Sequence, residues 1–280
     1  MEKLSVAANY LLDHLSVSLP LPRHLSTSHT VPRRRRRHAD ERGRQTMAAR
    51  SGPPAAAVDP EAVLSHSFPE VSFAYDERDV ALYALGVGAC GADAVDEKEL
   101  HLVYHRDGQP HIKALPTFAS LFPFKNSNGL GIVDVPGLNF DASLLLHGQH
   151  YIEIYKPIPS RANVVNKTKI AGLHDKDPMV AQVAGFTRPI LHGLSSLGFA
   201  IRAVIKSFCN GDPTAVKSTF GRFLLHVYPG ETLVTEMWLQ GQRVLYQTKV
   251  KERNRAVLSG YVLLKHIPSS LFDRKRWGCM

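Results

Sequence analysis

The stretch RPILHGLSSLGFAIRAVIKSF, residues 188–208, carries the strongest periodic pattern in the chain. Its apolar residues recur every three or four positions, which is the spacing of one face of an α-helix. These positions are Ile190, Leu191, Leu194, Leu197, Ile201, Val204, Ile205 and Phe208. Because the apolar stripe is wide, we expect this helix to be buried.

The first turns of the predicted helix contain four small residues, Gly193, Ser195, Ser196 and Gly198. Each glycine lowers the stability of a helix by about 1 kcal/mol relative to alanine. Small residues also let another backbone or a ligand approach the helix closely. The start of this helix is therefore a candidate binding site.

The residues after the helix predict an antiparallel sheet. Four candidate strands follow in order: FGRFLLHVY, TLVTEMWLQ, RVLYQTKVKER and AVLSGYVLLKH. The turns YPGET and LQGQR separate the first three strands, which predicts a meander. A long helix followed by such a sheet is typical of an α+β fold in which a curled sheet wraps a central helix.

The residues before the helix predict a similar set of elements. The segment 70–91 indicates a short strand and then a helix with Asp76 as its N-cap. ELHLVYH predicts a strand, and LPTFASLF predicts a short helix with Pro116 near its start. QHYIEIYKPIP and ANVVNKTKIAGLHD alternate apolar and polar residues, which predicts two strands paired across a proline-rich turn.

Size and composition favour a globular protein. A chain of 280 residues with 44% apolar residues can bury a core in one or two closely packed units. Cys90, Cys209 and Cys279 are widely spaced, which indicates neither a disulfide framework nor a metal cluster and fits a reducing compartment. No apolar run approaches the roughly 20 residues that span a bilayer, so we expect no membrane span.

The net charge of +9 is concentrated at the two ends of the chain. Residues 1–50 hold ten Lys or Arg against four acidic residues, and residues 272–280 hold three against one. The run Arg33–Arg37 has no aromatic residues interleaved, so it favours a solvated disordered tail over a nuclear-localisation-like or phosphate-binding arm. We therefore expect no nucleic-acid partner.

Four segments together carry a resemblance to a known family: LLLHGQHYIEIYKPIP, AGFTRPILHGL, GRFLLHVYPGETLVTEMW and YQTKVKER. Over residues 68–271 the chain resembles enoyl-CoA hydratase 2, the MaoC-like, (R)-specific hydratase family of peroxisomal fatty acid β-oxidation, and most closely its plant members. The resemblance implies a double hot-dog fold, in which two pseudo-repeats each wrap an antiparallel sheet around a central helix. It also implies reversible syn hydration of trans-2-enoyl-CoA to (3R)-3-hydroxyacyl-CoA, without a metal or cofactor.

The resemblance also implies a set of site residues. His147, Gly148 and Lys176 match positions that contact acyl-CoA, and Phe223 matches a further substrate contact. Gly193 matches the oxyanion-hole residue. Outside the family, His147 is equally well interpreted as a histidine at a sheet edge, Lys176 as a solvated turn residue and Phe223 as a core residue.

The chemistry of hydration explains why a glycine backbone matters at position 193. Addition of water to an enoyl thioester places negative charge on the carbonyl oxygen. A backbone N–H at a helix N-terminus stabilises that charge, and loss of one such donor costs roughly 3 to 4 kcal/mol in activation free energy. The neighbouring His192 is predicted to be structural rather than a base, because it points elsewhere on the helix.

The sequence departs from the family pattern at the acid–base residues. The family carries a Gly-Asp-x-Asn-Pro-Leu-His motif just before DPMVAQVAGF, and its Asp and His handle the α-proton and the attacking water. This chain passes directly from AGLHDK to DPMVAQVAGF, which predicts an internal deletion at Lys176–Asp177. His174, Asp175 and Asp177 do not match the motif in order or spacing, so we do not expect them to replace it.

These observations divide the chain into four predicted parts. Residues 1–67 form a disordered basic extension, in which Met47 marks where the family's chains usually start. Residues 68–176 form an N-terminal hot-dog repeat and residues 177–271 a C-terminal one, both truncated. Residues 272–280 form a tail.

Two functions remain open on the sequence: a hydro-lyase of this family, and a catalytically impaired form that binds acyl-CoA without turnover. A thioesterase on the same fold is disfavoured by RPILHG and GRF, which match the hydratase branch. Ser269-Ser270-Leu271 resembles a peroxisomal targeting tripeptide but is followed by FDRKRWGCM. Such tripeptides are recognised at the carboxyl terminus, so we expect peroxisomal localisation by resemblance and cytosolic localisation if the tripeptide is not recognised. The family also implies a homodimer.

Overall fold

The computed structural model describes residues 15–16, 58–125, 135–138, 146–173 and 189–267. The α-helices are α1 Pro60–Ser65, α2 Glu77–Gly86 and α3 Gly193–Phe208. The strands are β1 Leu15–Ser16, β2 Val71–Tyr75, β3 Leu146–His147, β4 Gln149–Glu153, β5 Ala162–Asn166, β6 Val216–Phe223, β7 Leu233–Gln240, β8 Arg243–Val250 and β9 Arg255–Leu264. Short 3₁₀ helices occupy Leu100–Leu102, Gln109–His111, Pro116–Lys125 and Pro213–Ala215.

Helix α3 lies at the centre of the main core, as its wide apolar stripe predicts. It packs against a five-stranded antiparallel sheet with the strand order β4-β6-β9-β8-β7. Its buried side chains meet those of β6, β8 and β9, including Leu197, Ile201, Val204, Ile205, Val216, Val244, Tyr246, Leu258 and Val262. The predicted α+β arrangement of a helix wrapped by an antiparallel sheet is confirmed.

Two paired glycines allow close packing at the centre of the sheet, one against α3 and one between neighbouring strands. Gly221 on β6 faces Gly260 on β9 in the strand register. A Cβ atom on Gly221 would lie 2.7 Å from Leu197 Cδ1 of α3, and one on Gly260 would lie 1.9 Å from the backbone oxygen of Phe220. A side chain on Gly221 would press on the helix, whereas one on Gly260 would clash with the backbone of the neighbouring strand β6, so both positions favour glycine.

The predicted strand and helix at 70–91 are confirmed as β2 and α2. The Asp76 side chain accepts the backbone N–H groups of Arg78 and Asp79, and the Asp79 side chain accepts the N–H of Asp76, which makes a capping box. Helix α2 is tied to α3 by Arg202, whose Nε donates to the carbonyl of Val87 at 2.8 Å. This contact positions the two helices that border the candidate site.

The prediction of a strand at ELHLVYH is wrong, because residues 100–102 form a 3₁₀ turn. The carboxylate of Glu99, 2% exposed, accepts the N–H of Cys90 and pairs with the guanidinium of Arg202. Satisfying this buried charge requires the chain to curl around it, which an extended strand does not allow. The helix predicted at LPTFASLF is confirmed, but in 3₁₀ form and with Pro123 inside it.

Two predicted strand pairings are also wrong. The strands in QHYIEIYKPIP and ANVVNKTKIAGLHD form β4 and β5, but β4 pairs with β6 and β5 pairs with β2. The proline-rich connection directs the two strands into different sheets, and its Pro159 carbonyl accepts the Tyr75 hydroxyl at 3.0 Å. Likewise β6 pairs with β9 rather than with β7, so only β7, β8 and β9 form a meander.

Part of the stretch predicted to be disordered is structured. Helix α1 lies within residues 1–67, is capped by Asp59 and buries Val63 against Val135 and Leu138. Strand β1 pairs with β3. The division at 176/177 stays a prediction, although β4 from the first predicted repeat pairs with β6 from the second. The join itself, the Ser269-Ser270-Leu271 tripeptide and the tail 272–280 lie outside the described residues.

Among the described residues, no helix is both long enough and apolar enough to cross a membrane.

Candidate functional site

The candidate site begins at the first residue of α3, where Gly193 follows the N-cap His192. The Nδ1 atom of His192 accepts the Leu194 N–H at 3.2 Å, and its carbonyl accepts the Ser195 N–H at 2.9 Å. Within the part of the chain that the structure describes, the Gly193 N–H donates no hydrogen bond. It is the donor left for a ligand, at the positive end of the helix dipole.

The ring of Phe223 lies directly against Gly193. A Cβ atom on Gly193 would lie 3.0 Å from Cε1 of Phe223 and 3.1 Å from its Cδ1. Phe223 is the last residue of β6, and its N–H donates to the Gly148 carbonyl at 3.0 Å. The sequence-predicted residues Gly148, Gly193 and Phe223 are thus brought together at the edge where β6 meets α3.

His147 completes this group of predicted residues. Its ring centroid lies 5.5 Å from that of Phe223 and 6.1 Å from that of His192. The fifth predicted residue, Lys176, lies outside the described residues. Just before the helix start, Leu191 forms an antiparallel β-bridge with Val227. The Leu191 N–H donates to the Val227 carbonyl at 2.7 Å, which fixes the chain at this point.

Three histidines, His147, His150 and His192, lie side by side here, and burial keeps them neutral. Burial, with a contribution from the charge of His192, lowers the pKa of His147 to about 4. Burial and the two neighbouring histidines lower the pKa of His150 to about 3, and burial lowers the pKa of His192. The Nε2 of His147 and the Nδ1 of His150 are 3.3 Å apart, a distance that fits a hydrogen bond in which one of the two nitrogens donates and the other accepts. Neutral imidazoles can each donate and accept one hydrogen bond.

Among the described residues, no group of three His, Cys, Asp or Glu side chains is arranged to hold a metal ion.

A mainly apolar cavity of about 370 Å³ opens beside the helix start. It lies between α2, the 3₁₀ helix at 116–125 and the first turn of α3. Its walls are formed by Tyr83, Gly86, Val87, Leu121, Phe124, His192, Leu194 and Ser195. This lining suits an aliphatic chain, because most of the cavity wall is apolar or aromatic and few polar groups would lose water when the chain binds.

A second cavity of about 250 Å³ lies elsewhere, lined by prolines and by Lys113 and Thr214. It shares no lining residue with the group around Gly193. Its charged residue Lys113 is already paired with Asp212 at 3.0 Å. We therefore place the candidate site at the first cavity, where an unbonded backbone donor and an apolar chamber adjoin.

Sequence reasoning missed four residues of this site: His150, Tyr83, Phe124 and the contact role of His192. The HGQH spacing contains a signal for His150, because it places two histidines on one short segment with a glycine between them. Tyr83 and Val87 are four residues apart on a helix and share a face, which is also visible in the sequence. Nothing in the apolar run LPTFASLFPF indicates that Phe124 faces the cavity.

Comparisons with known proteins agree with this geometry. The N-terminal part matches the MFE-2 hydratase 2 N-terminal domain at residues 73–188, and the C-terminal part matches the MaoC like domain at residues 173–260. "Enoyl-CoA hydratase 2, peroxisomal" of Arabidopsis thaliana is 44% identical over 300 aligned positions, which cover 75% of this chain and 96% of the relative. The chain belongs to the enoyl-CoA hydratase 2 family. The family resemblance predicted from sequence is confirmed.

Further matches include a longer protein and two solved structures. The peroxisomal multifunctional enzyme type 2 of Mus musculus is 30% identical over 74% of the chain, which matches 38% of that protein. A MaoC-like dehydratase from Phytophthora capsici, 23% identical, has a TM-score of 0.56 and covers 75% of this chain and 98% of its own. The Drosophila melanogaster multifunctional enzyme type 2, 25% identical, has a TM-score of 0.52 and covers 70% of this chain and 48% of its own. The hot-dog fold is confirmed by these structures.

The pair His147 and His150 predicts sensitivity to acid. Because the folded-state pKa values of about 4 and 3 lie below the ordinary 6.5, the unfolded chain binds protons more readily. The stability that these neutral side chains contribute is present above pH 6.5 and is lost as the pH falls toward 3. We expect urea unfolding to show a lower free energy of unfolding at pH 5 than at pH 7.

The variant His150→Gln should reduce this difference between the two pH values. The exposed His266 serves as the control, and His266→Gln should leave the difference unchanged. If the free energy of unfolding depends on pH equally in His150→Gln and in the parent chain, His150 is not a source of the acid sensitivity.

Proposed function

We propose that this chain binds enoyl-CoA thioesters at the start of α3 and acts as a hydro-lyase, adding water reversibly to trans-2-enoyl-CoA to give (3R)-3-hydroxyacyl-CoA. The observation that carries the proposal is the Gly193 N–H, which donates no hydrogen bond among the described residues and lies between His192 and Leu194, two residues that line the apolar cavity. The thioester carbonyl accepts this N–H, and the acyl chain enters the cavity.

The position of the Gly193 N–H fits the charge that hydration creates. Negative charge grows on the thioester oxygen as water adds to the double bond, and the sixteen-residue helix α3 directs its positive end there. The Phe223 ring packs against Gly193 and forms an apolar wall beside this residue. A donor in an apolar, water-poor setting stabilises charge more strongly than one in bulk water.

We also propose that His147 and Gly148 contact the acyl-CoA, and that Lys176 is a further contact. Support comes from the 5.5 Å between the rings of His147 and Phe223 and from the bond between the Phe223 N–H and the Gly148 carbonyl. For Lys176 the support is the family resemblance alone. The neutral state of His147 suits a thioester, which carries no charge of its own.

A second candidate function is acyl-CoA binding without turnover. It is favoured by the absence of the Gly-Asp-x-Asn-Pro-Leu-His motif from the sequence. The alignment with the Arabidopsis thaliana relative gives further support: 75% of 280 residues is 210, so 90 of the 300 aligned positions hold no residue of this chain. The two family matches overlap at residues 173–188, around the proposed deletion at Lys176–Asp177.

Crotonyl-CoA separates the two functions. A hydro-lyase removes the absorbance of the enoyl thioester, whereas a binding protein leaves the absorbance unchanged and still titrates with butyryl-CoA in calorimetry. Release of free CoA would instead indicate a thioesterase. Failure to bind either thioester would contradict both functions.

The variant Gly193→Ala tests where the thioester binds. Its Cβ atom would press on the Phe223 ring, so the ring or the helix start must shift, and we expect the affinity for butyryl-CoA to fall at least tenfold, about 1.4 kcal/mol. Ser207→Ala, an exposed position on the same helix, should leave affinity unchanged. The double variant Gly193→Ala/Phe223→Leu relieves the contact and should recover thermal stability. Unchanged affinity in Gly193→Ala would contradict the proposed site.

We propose that the chain forms a homodimer. Support comes from β7, a strand at the edge of the five-stranded sheet, which exposes Val234 and Trp238 on one face. Exposed apolar side chains on an edge strand favour association with a further strand. Sedimentation of the purified chain at the mass of a monomer would contradict this proposal.

We further propose that the protein acts in peroxisomes, as the names of its relatives indicate for those proteins. Ser269-Ser270-Leu271 resembles a peroxisomal targeting tripeptide, and such tripeptides are recognised at the carboxyl terminus of a protein. A chain ending at Leu271 and fused at its N-terminus to a fluorescent protein should accumulate in peroxisomes more than the full chain. A cytosolic distribution of both fusions would contradict the proposal.

A further inference from the structure

His192 has a fixed tautomer as well as a capping role. Its Nδ1 atom accepts the Leu194 N–H at 3.2 Å, so Nδ1 carries no proton. Burial lowers the pKa of this histidine, so the ring is neutral and its single proton lies on Nε2. The cap therefore turns His192 into a hydrogen-bond donor whose donating atom is known.

The Nε2 atom is available to a ligand. His192 is one of the residues that line the apolar cavity, and it is exposed. Its ring meets Phe124 edge-on at a centroid distance of 6.0 Å and His147 at 6.1 Å, so aromatic neighbours restrict its orientation. Within the described part of the chain, Nε2 makes no hydrogen bond.

The choice of histidine as a cap supports a second role. Ser, Thr, Asp and Asn are the side chains that cap helices most effectively, and each would accept the Leu194 N–H here. Histidine differs from these residues because it carries, besides the accepting Nδ1, a second nitrogen, Nε2, which can donate and lies farther from the backbone. The donor lies on the residue directly before Gly193, on the side of the helix start that faces the cavity.

We propose that His192 is a substrate-binding residue, whose Nε2–H donates to the same thioester carbonyl oxygen as the Gly193 N–H. A carbonyl oxygen has two lone pairs, so it accepts both donors. Both hydrogen bonds strengthen as charge grows on that oxygen, and the capping bond keeps the imidazole in the tautomer that can donate. This inference rests on the proposed binding of acyl-CoA at Gly193.

Two conservative variants separate the donor from the cap. In His192→Asn, the side-chain oxygen can take the place of Nδ1 and accept the Leu194 N–H, but nothing replaces Nε2–H. In His192→Gln, the side-chain amide can donate from the place of Nε2, but the cap acceptor is lost. Affinity and melting temperature therefore respond differently to the two changes.

Two ligands report on the carbonyl oxygen alone. Butyryl-CoA carries the thioester carbonyl and cannot be hydrated, and S-butyl-CoA is the matching thioether without that oxygen. Calorimetry of the full chain should show that His192→Asn weakens butyryl-CoA binding about fivefold while its melting temperature stays near that of the parent. Binding of S-butyl-CoA should be unchanged. His192→Gln should keep most of the affinity for butyryl-CoA and melt at a lower temperature.

The outcomes distinguish this inference from the function on which it rests. Equal weakening of both ligands by His192→Asn would overturn the inference, since the thioether offers no oxygen to the imidazole. Unchanged binding of butyryl-CoA by His192→Asn would overturn it as well. A parent chain that binds thioester and thioether equally, or binds neither, would overturn the proposed function itself.

Discussion

The contact between Gly193 and Phe223 is the constraint on which the candidate site depends. It joins the start of α3 to the end of β6 so closely that a Cβ atom on residue 193 would press on the Phe223 ring. The same Phe223 is bonded through its backbone to Gly148, the residue that links the short strands carrying His147 and His150. One close approach therefore brings a helix N-terminus, an aromatic wall and a histidine pair together. A larger residue at 193 would separate them.

Burial gives this group its chemical character. Burial of His147 and His150 disfavours their charged forms, and the pKa of the more exposed His192 is lowered as well, so all three offer hydrogen bonds without positive charge. Neutral donors in an apolar chamber bind an uncharged carbonyl modestly and a developing oxyanion more strongly. A site of this kind favours the charge that hydration creates over the ground-state thioester. The same burial makes the fold sensitive to acid, because protonation of His147 and His150 favours the unfolded chain.

The sequence predicted helices and caps better than it predicted pairing. The apolar stripe of α3, the cap Asp76 and the strands β7 to β9 follow from local patterns, and the structure confirms them, whereas β6 starts four residues before the predicted strand FGRFLLHVY and ends within it. Alternation identifies a strand without naming its partner, which is why β4 was expected beside β5 and lies beside β6. At ELHLVYH the alternation was misleading, because Glu99 needs a buried cation that comes from α3. Such a requirement appears only when distant segments meet.

The parts of the site differ in what they contribute to catalysis. General acid–base groups each raise the reaction rate about 10²- to 10⁴-fold, and groups that act as a pair do not contribute independently. An oxyanion donor contributes separately, through the thioester oxygen. Gly193 and His192 lie after the proposed deletion, whereas His147 and Gly148 lie before it. Because β6 holds both sides together through Phe223, the proposed thioester-binding geometry does not depend on the segment that we propose is deleted. The proposed binding of thioesters is therefore separable from turnover.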